Sequence, residues 1–298
     1  MTKTVVGIGE ALWDCLPEGR KFGGAPTNFA YHCSQFGLQS YAISALGNDV
    51  LGDEIADICR QKNLNAIMPR VPFETGTVQV SLDGNGIPQY DIRQGVAWDH
   101  IPFTHQMEVL AAQTDAVCWG SLAQRSPESR DTIRRFIEAM PQGALKVFDI
   151  NLRQSFYTLP IIEDSLRAGN ILKINDEEIA VLNRLLAQED TRFGVSSSEL
   201  FTQLPPRLIA AYGLDLLILT CGAEGSYTFL SDGTRSFLST PRVTVADTVG
   251  AGDSFTAAFV SMLLRGASVS EAHRRAVDVS AFVCTQHGAM PELKPELT

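Results

Sequence analysis

The stretch "DTVGAGDSF" (247–255) sets Gly250 and Gly252 around Ala251 and follows them at once with an acid, Asp253. Glycines at a helix start let the unpaired amides of the first turn close around an anion. An acid in that place, where a lysine is the usual partner of a phosphate, needs a reason. One reason is ordinary: an aspartate there caps the amides and complements the helix dipole. The other is transfer of a phosphoryl group to an alcohol. The amides of Gly250, Ala251 and Gly252 would hold the charge on the moving group while Asp253 accepts the hydroxyl proton. A capping aspartate needs no anion-shaped loop before it, which favours the second reading. Two other phosphate motifs are excluded. There is no lysine for a P-loop, and Phe255 stands where a dinucleotide fingerprint needs its third glycine. The earlier "GIGEAL" fails the same test at Leu12.

Three further clusters invite chemistry, each with a plainer reading beside it. Gly23-Gly24, followed by Asn28, reads as a turn before a helix beginning near Pro26. Asn175 and Glu178, three apart at the start of a helical pattern, share one side, as a helix cap with an acid in the first turn also would. In "FDINLR", Asp149, Asn151 and Arg153 occupy alternate positions at a strand end, where surface salt bridging is an equally good explanation. Six scattered cysteines without a C-x-x-C pair and five dispersed histidines point to free thiols and core or surface packing, not to structural zinc.

The elements that must position these residues read as α/β. "KTVVGIG", "SYAISALG", "TDAVCWGSL", "ALKVFDIN", "NILKIN" and "LDLLILTCG" are short buried strands, alternating with helical patterns such as "SRDTIRRFIEAM" and "DEEIAVLNRLLAQ". Strands apolar on both faces predict a parallel sheet covered on both sides, with ligands beyond the strands' carboxyl ends. "RVTVAD" reads as a further strand running into "TVGAG" and a helix whose Phe255, Phe259, Met262 and Leu263 form one buried face. "ETGTVQVSLDGNGIPQYDIRQGVAW" (74–98) breaks the alternation as a hairpin around Gly84-Asn85-Gly86, a flap to which residues 14–23 could add a strand. Residues 189–206 read as a loop-like insertion. The chain of 298 residues, 45% apolar and 19% charged, suits a globular protein, and its net charge of −10 argues against nucleic acid. No run of 18 apolar residues and no signal-peptide core occur, so the expectation is a cytoplasmic protein without a membrane partner.

"DTVGAGDSF" resembles the carboxyl-proximal D-T-x-G-A-G-D motif of the ribokinase/PfkB family of carbohydrate kinases. The likeness extends along most of the chain. "KFGGAPTNFAYHCSQFG" is similar to the family's glycine-pair motif, "INDEEI" to its N-x-x-E, "LTCGAEGSY" to its T-x-G-x-x-G and "HGAMP" to its closing segment. The resemblance implies a ribokinase-like three-layer α/β/α domain spanning 1–298, with a mostly parallel central sheet and a small β-sheet lid formed by about 12–24 and 70–100. It implies Asp253 as catalytic base, the Gly250–Ala251–Gly252 backbone as anion hole, and Asp14, Gly23, Gly24 and Asn28 around a sugar. Asn175 and Glu178 would organise Mg²⁺ and its waters. Thr220, Gly222 and Gly225 would contact ATP, and Asp247 and Thr248 resemble positions that help bind a monovalent cation such as K⁺. "GEALWDCLPEGRKFGGAPTNFA" and the D-x-N-x-R run, whose Arg153 would reach phosphate, look most like the fructokinase branch. Trp13 and Cys15 flanking Asp14 are a departure from its pattern. The implied function is ATP-dependent phosphorylation of fructose at its 6-hydroxyl, with a homodimer through the lid. 2-Keto-3-deoxygluconate kinase, ribokinase, nucleoside kinase and a catalytically silent sugar-binding regulator on the same fold stay open. A nicotinamide oxidoreductase has the sheet but lacks its glycine fingerprint.

Overall fold

Continuous apolar runs in this chain become the strands of one sheet. The structure, a computed structural model, describes residues 2–16, 19–82 and 88–298. The Gly84-Asn85-Gly86 turn lies outside the described residues. The amino-terminal half contains β1 (Thr4–Ile8), β2 (Leu12–Leu16), β3 (Gly19–Gly23), α1 (Ala25–Gln35), β4 (Gln39–Ile43), β5 (Leu46–Gly47) and α2 (Val50–Gln61). There follow β6 (Asn65–Ile67), β7 (Arg70–Val71), β8 (Gly76–Leu82), β9 (Pro88–Ile92), α3 (His105–Ala111), β10 (Ala116–Trp119) and α4 (Pro127–Glu138). Next come β11 (Leu145–Asp149), α5 (Leu159–Ala168), β12 (Ile171–Asn175), α6 (Asp176–Glu189) and α7 (Leu200–Tyr212). The chain ends with β13 (Leu216–Thr220), β14 (Ser226–Leu230), β15 (Arg235–Leu238), α8 (Ala251–Leu264) and α9 (Val269–Val283).

The main sheet runs β15-β14-β13-β12-β11-β10-β1-β4-β6, with only β14 running against the other strands. Strand pleating sends alternate side chains to opposite faces. On β1, Val5 joins a core with Phe29 of α1 and Phe255 and Phe259 of α8, while Val6 and Ile8 join the opposite core with Phe136, Ile162 and Leu182. The sheet is therefore buried on both faces, as parallel sheets require. Among the described residues no helix is long and apolar enough to cross a membrane.

A second sheet, β3-β2-β8-β9, stands where the lid is expected, formed by residues 12–16, 19–23, 76–82 and 88–92. Residues 70–71 are not part of it: β7 pairs with β5 in a separate ladder. The departure at Trp13 and Cys15 has a packing basis. Trp13 points away from Asp14 along β2, is buried, and donates from Nε1 to Leu51 O at 3.0 Å, fastening the lid to α2.

Three local expectations are corrected. "RVTVAD" is not a strand: residues 242–247 have no ladder partner, and Ala246 and Asp247 donate to the carbonyl of Cys284 instead. The 189–206 stretch is not all loop. Leu200, Leu204 and Leu208 recur at helical spacing and are buried, and that burial carries α7 through Pro205 and Pro206 despite their low helix propensity. Finally, α8 does not present one apolar face. Residues 254–261 are buried all round, with Met262 and Leu263 only half-buried.

Candidate active site

The first turn of α8 is built by its glycines. Gly250 takes the left-handed conformation (φ 79°), and a β-carbon there would stand 2.7 Å from the Ala289 Cα. Only glycine accepts both constraints. The Ala251 amide donates to Thr248 O at 3.3 Å, whereas the amides of Gly252 and Asp253 meet no protein acceptor among the described residues. Free amides at a helix start are where an anion binds.

Asp253 stands half-buried in that turn. Its Oδ2 accepts a hydrogen bond from Asn28 Nδ2 at 2.7 Å, leaving Oδ1 for another partner. Burial lifts its carboxyl to about 6. The Asn28 hydrogen bond and the charges of Lys173 and Arg153 pull down against it, and nearby Asp149 adds to the rise.

Asp14, Gly23, Gly24 and Asn28 come together where lid meets core. Asp14 pairs with Lys21 across the β2–β3 ladder, and a β-carbon on Gly23 would stand 2.9 Å from Asp14 Oδ2. The glycine makes room for the carboxylate. Gly24 (φ 121°) packs directly on the Glu10 carbonyl, which leaves no space for a side chain. Burial raises Asp14 to about 6, offset in part by Arg153 and Lys21. Arg153 is exposed, donates from Nη1 to Leu152 O at 3.0 Å, and its charge acts on Glu10, Asp14 and Asp253 alike.

Asn175 and Glu178 form a capping box on α6. Asn175 Oδ1 accepts from Glu178 N at 2.8 Å and Glu178 Oε2 accepts from Asn175 N at 3.0 Å. Glu178 Oε1 also accepts from Leu152 N at 2.9 Å, so each carboxylate oxygen keeps spare lone-pair capacity. Among the described residues no three His, Cys, Asp or Glu side chains converge to hold a metal. A sparse donor set reached through water fits Mg²⁺, which keeps most of its own water, and does not fit a metal that needs a protein cage.

Thr220 lies beside Asn175 in the β12–β13 register, and Gly222 (φ 51°) and Gly225 (φ 146°) shape the turn that follows. Asp247, just before the anion loop, accepts from Val249 N and Gly288 N, both at 3.0 Å, and pairs with Lys21 of the lid at 3.4 Å. Burial raises its carboxyl, but those three donors outweigh it and the net shift is downward. Thr248 is exposed next to it.

Three charged residues escaped the reading of the sequence. Lys173, only 7% exposed, pairs with Asp149 at 3.1 Å, and Asp149 also accepts from Thr256 Oγ1 of α8 at 3.2 Å. Burial pushes its ammonium down, but Asp149, Glu178 and Asp253 raise it more and the net is upward. A lysine inside the apolar "NILKIN" was a visible signal. Glu10, 3% exposed, and Lys21 carried none that spacing alone could expose.

Residues 18–296 match the model described as the pfkB family carbohydrate kinase. The fructokinase of Salmonella typhimurium is 27% identical over 270 residues, 86% of this chain and 83% of that protein. The ATP-dependent 6-phosphofructokinase of Thermoanaerobacterium thermosaccharolyticum is 26% identical over 283 residues, 94% of this chain and 84% of that protein. The crystal structure of a fructokinase with bound ATP from Xylella fastidiosa superimposes with a TM-score of 0.84 at 21% identity, over 97% of this chain and 94% of that one.

Proposed function

The chain belongs to the pfkB family of carbohydrate kinases, and within it we propose a fructokinase that moves the γ-phosphoryl group of ATP to the 6-hydroxyl of fructose. The observation that carries this reading is the Asn28–Asp253 hydrogen bond at 2.7 Å beside the free amides of Gly252 and Asp253. It brings a sugar-side residue of α1 to the base and the anion site in the first turn of α8.

The sugar lies against Gly23 and Gly24, where Asp14 accepts from its hydroxyls. The lid sheet covers it and keeps water out. ATP runs across the ends of β12 and β13, past Thr220, Gly222 and Gly225. Its phosphates turn toward the Gly250–Ala251–Gly252 loop and the first amides of α8. Mg²⁺, held through water by Asn175 and Glu178, would offset phosphate charge. A K⁺ ion near Asp247 and Thr248 would share that carboxylate with Lys21. Asp253 Oδ1 takes the hydroxyl proton. A carboxyl near 6 is ionised at neutral pH yet more basic than an ordinary aspartate, which suits a general base.

Charge favours an uncharged sugar. Asp14 and Asp253 line the site, with Arg153 as their shared counter-charge. A second reading, an anionic sugar such as fructose 6-phosphate, draws on the exposed Arg153, which has no acidic partner within ion-pair distance among the described residues. A homodimer through the lid belongs to the first reading, since β3 and β9 are edge strands with open ladders. The test is a panel of fructose, fructose 6-phosphate, ribose, 2-keto-3-deoxygluconate and adenosine with ATP. Fructose should give the highest kcat/KM. A phosphorylated sugar at least about tenfold better would shift the assignment to the second reading, and no phosphorylation of any would favour a silent sugar-binding regulator.

A further inference from the structure

Glu10 lies against Gly24 and Ala25 with one carboxylate oxygen unsatisfied. It lies just past β1, after Gly9, and is 3% exposed, and its Oε1 accepts from the Ala25 amide at 3.3 Å, at the first residue of α1. Its Oε2 is buried without a partner. Asn28 shows the same defect: it is 3% exposed, Nδ2 donates to Asp253, and Oδ1 is buried without a partner. Asn28 follows Ala25 by three residues on α1, and side chains on a helix lean back toward its N-terminus, so the Asn28 side chain reaches toward the turn that Glu10 caps.

Two orphaned buried acceptors in one cleft are costly while both remain acceptors. A single proton on Glu10 would turn one of them into a donor able to satisfy the other. We propose that Glu10 is a positioning residue for the base: its carboxyl donates from Oε2 to Asn28 Oδ1, which locks the Asn28 amide with Nδ2 toward Asp253. A side-chain amide is otherwise free to turn, and a flipped Asn28 would set oxygen against oxygen at Asp253. The inference rests on the assignment of Asp253 as base.

The charged groups facing Glu10 are Arg153, from the loop after β11, and Asp253, on α8. Burial raises Glu10 to about 7; Arg153 and the amide hydrogen bonds lower it, and Asp253 raises it. The donating form is therefore present below about pH 7 and lost above it. Asp253 must ionise, near 6, to act as base. Turnover then rises through about pH 6 and falls above about pH 7.

The test compares Glu10→Gln, Glu10→Ala and Asp253→Asn with the parent, using fructose and Mg·ATP across the pH range. Glutamine keeps a donor that does not titrate. Glu10→Ala should lower kcat by about tenfold or more with little change in KM for ATP, and Glu10→Gln should recover most of that loss. Glu10→Gln should also remove the decline above about pH 7. Infrared difference spectra of parent against Glu10→Gln, which do not depend on turnover, should show a protonated carboxylic-acid band below pH 7 that the variant lacks. Glu10→Gln as damaged as Glu10→Ala, or no such band in the parent, overturns the proposal. Near-parent turnover of Asp253→Asn instead removes the base on which it rests.

Discussion

Lys173 Nζ lies beneath Gly252, 3.0 Å from the point where a β-carbon on that residue would stand. The cation missing from the anion loop in sequence is thus supplied in space, by a strand 79 positions earlier in the chain (252 − 173). It leaves the first turn of α8 free to carry an acid.

That lysine is held in place by Asp149, and removing one member of a buried pair strands the other. Lys173→Met should destabilise the fold by about 3–5 kcal/mol, and adding Asp149→Leu should restore much of the loss. Urea unfolding of the two variants measures both. A single-variant cost below about 1 kcal/mol would mean the pair is not desolvated as the structure has it.

The two loop glycines should respond differently to alanine. At Gly250, positive φ and contact with Ala289 make a side chain strained, so Gly250→Ala should lower stability by about 1–3 kcal/mol and turnover with it. Gly252 is in regular helix, and its added methyl meets only the far end of the Lys173 side chain, at 3.0 Å. Gly252→Ala should keep Tm within a few degrees of the parent while raising KM for ATP, by displacing the ammonium from beneath the phosphates. Equal melting temperatures for the two variants would contradict this account.

Asp253 should be a liability to the empty fold. Its carboxyl titrates near 3.8 unfolded and about 6 folded. Below 3.8 both states are protonated and nothing is gained or lost. As pH rises from 3.8 to 6 the unfolded state releases its proton first, so folding stability falls, by up to about 3 kcal/mol above pH 6. Asp253→Asn should therefore melt higher than the parent at about pH 7.5 and level with it near pH 4. A lower Tm for the variant at about pH 7.5 would show that the carboxylate is net stabilising.

Asp14 holds hydroxyls and touches no phosphate in this reading. Asp14→Asn should raise KM for fructose by about tenfold or more while KM for ATP stays within about twofold. If both constants move together, the residue supports the lid instead of binding sugar.

Legibility followed the range of the interactions. Buried parallel strands show as continuous apolar runs, so β1, β4 and β10 to β13 were visible, as was the glycine-acid turn that sets Asp253. "RVTVAD" had the residue types of a strand but no neighbour to pair with, and pairing partners are not written in a local window. The helix α7 formed against its prolines because Leu204 and Leu208 found a core. Glu10 was hidden for the same reason: its burial depends on Gly24, Ala25 and α8, which only the fold brings together.

The most direct test of the whole account is the turnover of Asp253→Asn with fructose and ATP, measured alongside its dissociation constant for ATP. The predicted result is a kcat lower by about 10²–10⁴ with ATP binding unchanged. Turnover within about tenfold of the parent would contradict it, because a base removed from the site cannot leave the proton transfer intact.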